Sequence, residues 1–238
     1  MRKIVLTGLA GMVMTFLFGA FYGFDDFFVG CVIAISILVI LKLHPKEYKE
    51  KGRQIVHLCY GIFIVYMILI FGLVDAFGIS LFIFMILLYL TEIAEGGKHL
   101  PFIRHGLKHF ERKEVDEFKG VMHYTLGVMT TIFLFGILPT YAGYQPYESA
   151  VLAAILVLAF GDSFSTAFGI IFGEMKIAKN RTAEGSFAGL IAAFLICKTL
   201  VVPEMALIAA VIGTFVDWLN LPIDDNLTIP IFVAVALL

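Results

Sequence analysis

Charge is scarce in this chain. Of its 238 residues, 15 % are charged and 61 % are apolar, against roughly 25 % and 45–50 % in ordinary soluble domains. With 24 Phe as well, too few polar groups remain to cover a surface facing water. That excludes a soluble globular protein, a disordered chain, a coiled coil and a collagen-like fibre. Cysteine is scarce too. Cys31, Cys59 and Cys197 are odd in number and lie in apolar runs, which excludes a disulfide framework and a zinc cluster and leaves them as small core residues. The net charge of −2 says almost nothing by itself, because a membrane protein carries its information in where the charges sit; no nucleic-acid partner is expected. A mean hydropathy of +0.97 points to an integral membrane protein.

A spanning helix needs about 20 mainly apolar residues to cross roughly 30 Å of hydrocarbon, because its backbone polar groups must be satisfied within the segment. Seven runs meet this, at about 4–22, 27–43, 55–73, 77–92, 121–138, 149–172 and 185–202. The first, preceded by Arg2 and Lys3, reads as a span and not a signal peptide, since further apolar segments follow without a convincing small-residue cleavage site. Two shorter stretches, about 204–216 and 227–238, suit short, tilted or re-entrant elements. The fold class expected is therefore all-α, a single polytopic membrane domain over 1–238.

The basic residues orient it. Arg2 and Lys3, the cluster Lys42 to Arg53, the cluster Lys98 to Lys119, and the group Lys176, Lys179 and Arg181 fall on alternate connections. Together they account for 16 of the 17 Lys and Arg; the exception is Lys198. Excess cations mark cytoplasmic loops, so the N-terminus and all four basic segments are expected in the cytoplasm. The connection 93–120 carries Ile103, Leu107, Phe110, Val115 and Phe118 at near-helical spacing among cations, the pattern of an amphipathic helix on the membrane surface. His105 and His109 stand four apart there without a third ligand at metal spacing, and read as part of a solvated face.

Carboxylates inside apolar segments are costly, about 2.5–3.5 kcal/mol on insertion scales, and usually face a polar cavity. Asp162 is the clearest, set beside Gly161 within an apolar run. Asp224-Asp225-Asn226 offers adjacent hard oxygens of the kind a divalent cation takes, or equally the cap of a short helix. Between them, the segment from Gly173 to Gly185 combines Lys176, Lys179 and Arg181 with glycines at two helix ends. Free backbone N–H groups and fixed cations suit a polyphosphate; a plain positive-inside loop explains the cations but not Glu184 at the membrane entrance. The pairs Gly169/Gly173 and Gly185/Gly189 have the spacing of close helix packing. His57, entering the third span, and His123, at the start of the fifth, suit a phosphate contact, proton transfer or a packed polar network alike.

These residues carry a family resemblance. Gly161-Asp162-Ser163, Gly169, Gly173, Lys176, Lys179 and Thr182-Ala183-Glu184-Gly185-Ser186 resemble the signature of the dolichol kinase, phytol kinase and CTP-dependent diacylglycerol kinase family. Asp224-Asp225-Asn226-Leu227-Thr228-Ile229-Pro230 is similar to that family's closing element, and Arg53-Gln54-Ile55-Val56-His57 to its early motif, with Gln54 for the usual Lys. Arg181 stands where Lys is common, and Asp217 where Glu is expected. The resemblance covers about 53–238, with 161–230 as its catalytic region. It implies transfer of the γ-phosphoryl group of CTP, with Mg²⁺, to a lipid alcohol at the cytoplasmic membrane face.

Phosphoryl transfer asks mainly for positioning and charge neutralisation. On this reading Lys176, Lys179, Arg181 and Thr182 take the triphosphate, with His57 as a further phosphate contact. Asp162, Asp224 and Asp225 hold Mg²⁺ or activate the nucleophile. Glu184 and Asn226 complete the polar shell, and the carboxylate that accepts the hydroxyl proton, among Asp162, Glu184 and Asp225, stays open. A cytidylyltransferase forming a CDP-lipid is the nearest alternative, although that family's late basic and HGG-type element is absent here. A small transporter using Asp162 as an ion relay leaves the combined motifs unexplained. The sequence names neither the alcohol nor the oligomeric state.

Overall fold

The computed structural model describes residues 26–42, 48–95, 119–178, 181–219 and 221–238. The expected first span at 4–22, most of the connection 93–120 with His105 and His109, and Lys179 lie outside them. Among the described residues the chain is mostly helical. The helices are α1 (Asp26–Lys42), α2 (Tyr48–Phe71) and α3 (Leu73–Glu95). α4 joins Lys119–Thr131, Ile132–Ile137 and Leu138–Tyr141, and α5 joins Glu148–Leu156, Val157–Asp162 and Ser163–Phe172. α6 (Ala183–Cys197), α7 (Pro203–Trp218) and α8 (Asp225–Ala236) follow. Three of these are long and apolar enough to cross a membrane: Glu50–Phe71, Gly120–Tyr141 and Glu148–Phe172. α7 and α8, at 16 and 12 residues, extend about 24 and 18 Å at 1.5 Å per residue. They match the two short apolar stretches of the sequence.

α5 is the axis of the bundle. Ala150 to Phe160 is buried without a break, as expected of a helix that is apolar all round, and α2, α6, α7 and α8 pack against it. The middle segments of α4 and α5, Ile132–Ile137 and Val157–Asp162, are π-helical. Such one-turn expansions often sit at functional sites, and the second ends on Asp162. Breakers act where backbone chemistry requires them. Pro139 has no N–H to offer the Phe135 carbonyl one turn back, and the Tyr147 N–H takes that carbonyl instead, at 2.9 Å. Gly72, with φ +90°, separates α2 from α3.

One departure from all-α is small and consequential. After α5 the chain forms an antiparallel pair, β1 (Lys176–Ala178) with β2 (Arg181–Thr182), Lys176 opposite Thr182 and Ala178 opposite Arg181. This hairpin folds the basic segment back over the end of α5, with α6 returning alongside α5.

Candidate functional site

The α5–α6 seam is closed by backbone contact. A methyl group placed on Gly185 would lie 2.5 Å from the Ser165 carbonyl oxygen, and one on Gly189 2.6 Å from that of Gly161. These glycines let the two helices touch, so Asp162 and the hairpin are held close together. On its other side α5 is tied to α2, where the Ser163 hydroxyl donates to the Gln54 carbonyl at 3.1 Å. Asp162 is thus fixed in a buried position, and the Thr166 hydroxyl one turn on lies 3.4 Å from its Oδ1.

The hairpin is fastened by caps. Thr182 accepts the Gly185 N–H at 3.2 Å, as an N-cap residue of α6 should. The Glu184 carboxylate accepts the Glu174 and Met175 N–H groups, each at 3.2 Å, and the Ala183 N–H donates to the Met175 carbonyl at 2.8 Å. Glu184 therefore holds the turn entering the hairpin.

So fastened, the hairpin swings Arg181 inward over the end of α5. Its Nη1 donates to Thr166 Oγ1 at 3.0 Å. Its Nη2 reaches Asp162 Oδ1 at 3.2 Å and Asp225 Oδ2 at 3.3 Å, and rests directly against Asp217 Oδ1. Burial by itself would lower the Arg181 pKa, but the carboxylates of Asp162, Asp217 and Asp225 outweigh it and hold the guanidinium protonated, above its ordinary range. One cation from the hairpin thus gathers carboxylates from α5, α7 and α8.

Asp225 is delivered by the start of α8. Its neighbour Asp224 is the N-cap, accepting the Asn226 backbone N–H at 3.0 Å and Asn226 Nδ2 at 2.9 Å, while its other oxygen lies 3.1 Å from His123 Nδ1 on α4. Pro230 cannot donate to the Asn226 carbonyl one turn back. Gly127 of α4 packs against that oxygen, so closely that a methyl group there would overlap it. The start of α8 is seated on α4 by this contact.

The residues expected at a site therefore divide. Asp162, Arg181 and Asp225 are brought together, with Asp217 added. Asp224 faces His123, and Asn226 and Thr182 serve at helix caps. Lys176 is exposed on β1. His57 is buried in α2, stacked on Tyr124 at 4.4 Å between ring centroids, and neither ring nitrogen finds a partner. Asp217 was legible only as a carboxylate closing an apolar stretch, and through its place in the resemblance.

Among the described residues no three carboxylate, imidazole or thiol groups close on a metal-sized position. The donor chemistry nonetheless suits a hard cation: three carboxylates from three helices converge on the one nitrogen of Arg181. Beside them lies a small cavity of about 10 Å³, lined by Asp162, Asp217, Ser165, Ser186, Thr214 and Gly161. That is room for about one water molecule.

Comparison with known proteins adds a relative without a function. The chain is similar to an uncharacterized protein of Methanocaldococcus jannaschii, 29 % identical over 191 residues, which cover 78 % of this chain and 91 % of the relative. No family model matches the chain, and no solved structure does.

Proposed function

We propose that this chain is a multi-pass membrane kinase that transfers the γ-phosphoryl group of CTP to a lipid alcohol. The observation that carries the reading is the convergence of Asp162, Asp217 and Asp225 on Arg181 beneath a basic hairpin. Four charged side chains at one end of an apolar bundle, three of them acidic, exceed what packing or orientation in a membrane requires. The resemblance in the GDS, KxxK and DDNLTIP segments supplies the reaction class and the nucleotide. In this reading there are seven full spans, α7 and α8 are short elements packed on them, and the hairpin faces the cytoplasm with the N-terminus.

The chemistry follows from what each residue can do. Lys176, Arg181 and Lys179 bind the triphosphate, and the hairpin orients it along the end of α5. Asp162 and Asp225 would hold Mg²⁺, which neutralises phosphate charge when bound. The acceptor hydroxyl oxygen forms a bond to Pγ as the bond from Pγ to the bridging oxygen of CDP breaks. The hydroxyl proton passes to a carboxylate of the cluster.

The test is transfer by purified protein in lipid vesicles containing mixed isoprenoid and glycerolipid alcohols, with CTP labelled at the α or the γ phosphate. Label from the γ position in the lipid is the expected result. Label from the α position would make the protein a cytidylyltransferase, and no labelled lipid with any alcohol would overturn both.

A further inference from the structure

We infer that the cavity beside Asp162 and Asp217 is a binding site for a single hydroxyl group, and that it seats the terminal hydroxyl of a primary lipid alcohol. The assignment to an acceptor rests on the kinase reading; the hydroxyl site itself does not.

Size and lining decide the ligand. A space of about 10 Å³ is close to the least that one water-sized polar group needs. A phosphate would meet the carboxylates of Asp162 and Asp217. The lining is mixed in hydrogen-bonding character. Ser165 is buried and its Oγ has no partner. The Ser186 oxygen accepts from Trp218 Nε1 at 2.9 Å, which leaves its own O–H to donate. The Thr214 hydroxyl donates to the Ala210 carbonyl at 2.8 Å and keeps lone pairs toward the cavity. Carboxylate oxygens of Asp162 and Asp217 supply acceptors. Buried polar groups require partners, and a ligand that both accepts from serine and donates to carboxylate satisfies this set. Water and an alcohol hydroxyl share that chemistry. The remaining wall includes Val157 and Ile229, which suits the carbon end of an alcohol.

Gly161 makes the site testable. A methyl group on it would meet Ala193 Cβ at 3.6 Å, Val157 Cγ1 at 3.7 Å and the Gly189 carbonyl at 3.8 Å, all ordinary contacts, so Gly161→Ala fills cavity space without forcing the helices apart. Trp218 is the single tryptophan of the chain, and it is bonded to a cavity residue. Its emission therefore reports occupancy without any assay of activity.

The experiment titrates the purified full-length protein in detergent with geranylgeraniol and, separately, with its methyl ether. The alcohol is expected to change Trp218 emission saturably, and the ether is not. Gly161→Ala should abolish the change while the thermal unfolding temperature stays near that of the parent. Ser165→Ala, a second variant that adds no volume, should weaken half-saturation about fivefold to tenfold, as for one lost hydrogen bond. No emission change in the parent, an equal response to the ether, or equal responses in both variants would overturn the site; the ether result would leave the cavity as a water site only. Transfer of γ-label is measured in parallel. Saturable binding without transfer keeps the hydroxyl site and removes the kinase, whereas transfer undiminished in Gly161→Ala removes the site and keeps the kinase.

Discussion

The guanidinium of Arg181, 14 % exposed, rests against the buried carboxylate of Asp217, 6 % exposed. The same nitrogen also serves Asp162 and Asp225. Removing the cation would leave three carboxylates facing one another, those of Asp162 and Asp217 buried and that of Asp225 42 % exposed. Breaking a buried pair from one side typically costs about 3–5 kcal/mol. Arg181→Gln is therefore expected to lower the unfolding temperature in detergent sharply and to abolish γ-label transfer. Adding Asp217→Asn to it should restore part of the stability but not the transfer. Arg181→Lys should recover some of each, because a single ammonium cannot bond Thr166 and the carboxylates at once. Equal unfolding temperatures for parent and Arg181→Gln would show that the pairings contribute nothing.

The contact between Gly127 and Asn226 makes a second prediction. Gly127 is on α4, and a side chain there would run into the carbonyl that Pro230 leaves unbonded on α8. Gly127→Ala must push the start of α8 away, and Asp225 with it. Overpacking of this kind costs about 1–3 kcal/mol. Transfer should fall along with stability, whereas Gly78→Ala on α3, where nothing lies within 4 Å, should leave both near the parent values. If Gly127→Ala behaves like the control, the seating of α8 on α4 is wrong.

Glu184 separates a structural carboxylate from a chemical one. Its oxygens accept two backbone N–H groups at the start of the hairpin, a task an amide oxygen also performs. Glu184→Gln is expected to keep most of the transfer rate. Glu184→Ala should loosen the turn, making the hairpin more sensitive to limited proteolysis and transfer slower. A general base contributes about 10²–10⁴ in rate. A hundredfold loss in Glu184→Gln with an intact hairpin would therefore make Glu184 the proton acceptor.

How far the sequence carried these conclusions depends on the kind of interaction. Long apolar runs announce helices because nothing else satisfies a backbone in an apolar setting, and α2 to α8 fall close to the runs predicted. Asp162 stood out because a carboxylate inside such a run is expensive, and Asp225 because it stands in a run of adjacent hard oxygens. The hairpin did not, since two short strands pair through backbone groups that any residue supplies. Nor did the meeting of Arg181 with Asp217, which depends on where α7 ends relative to β2. Glu184 was singled out as unexplained by orientation in a membrane, and its contacts are those of a cap. Its position two residues after Thr182 was the available signal, because acidic groups favour the first turn of a helix.

His57 supplies the last prediction. Its imidazole is buried against Tyr124, with Tyr60 edge-on to the same ring at 5.7 Å. Both nitrogens lack partners among the described residues, and so does the Tyr124 hydroxyl. A buried polar atom left unpaired costs about 1–3 kcal/mol, and an apolar replacement of similar shape removes that penalty. His57→Phe keeps a ring stacked on Tyr124 and is expected to unfold at the parent temperature or above it. Its half-saturating CTP concentration should be unchanged and its transfer rate within about threefold of the parent, a barrier change of under 1 kcal/mol. A phosphate contact would instead raise the CTP requirement at constant stability. Proton transfer through the ring would lower the rate a hundredfold or more with nucleotide binding intact. The pattern of these three readouts, and not the loss of activity alone, assigns the residue.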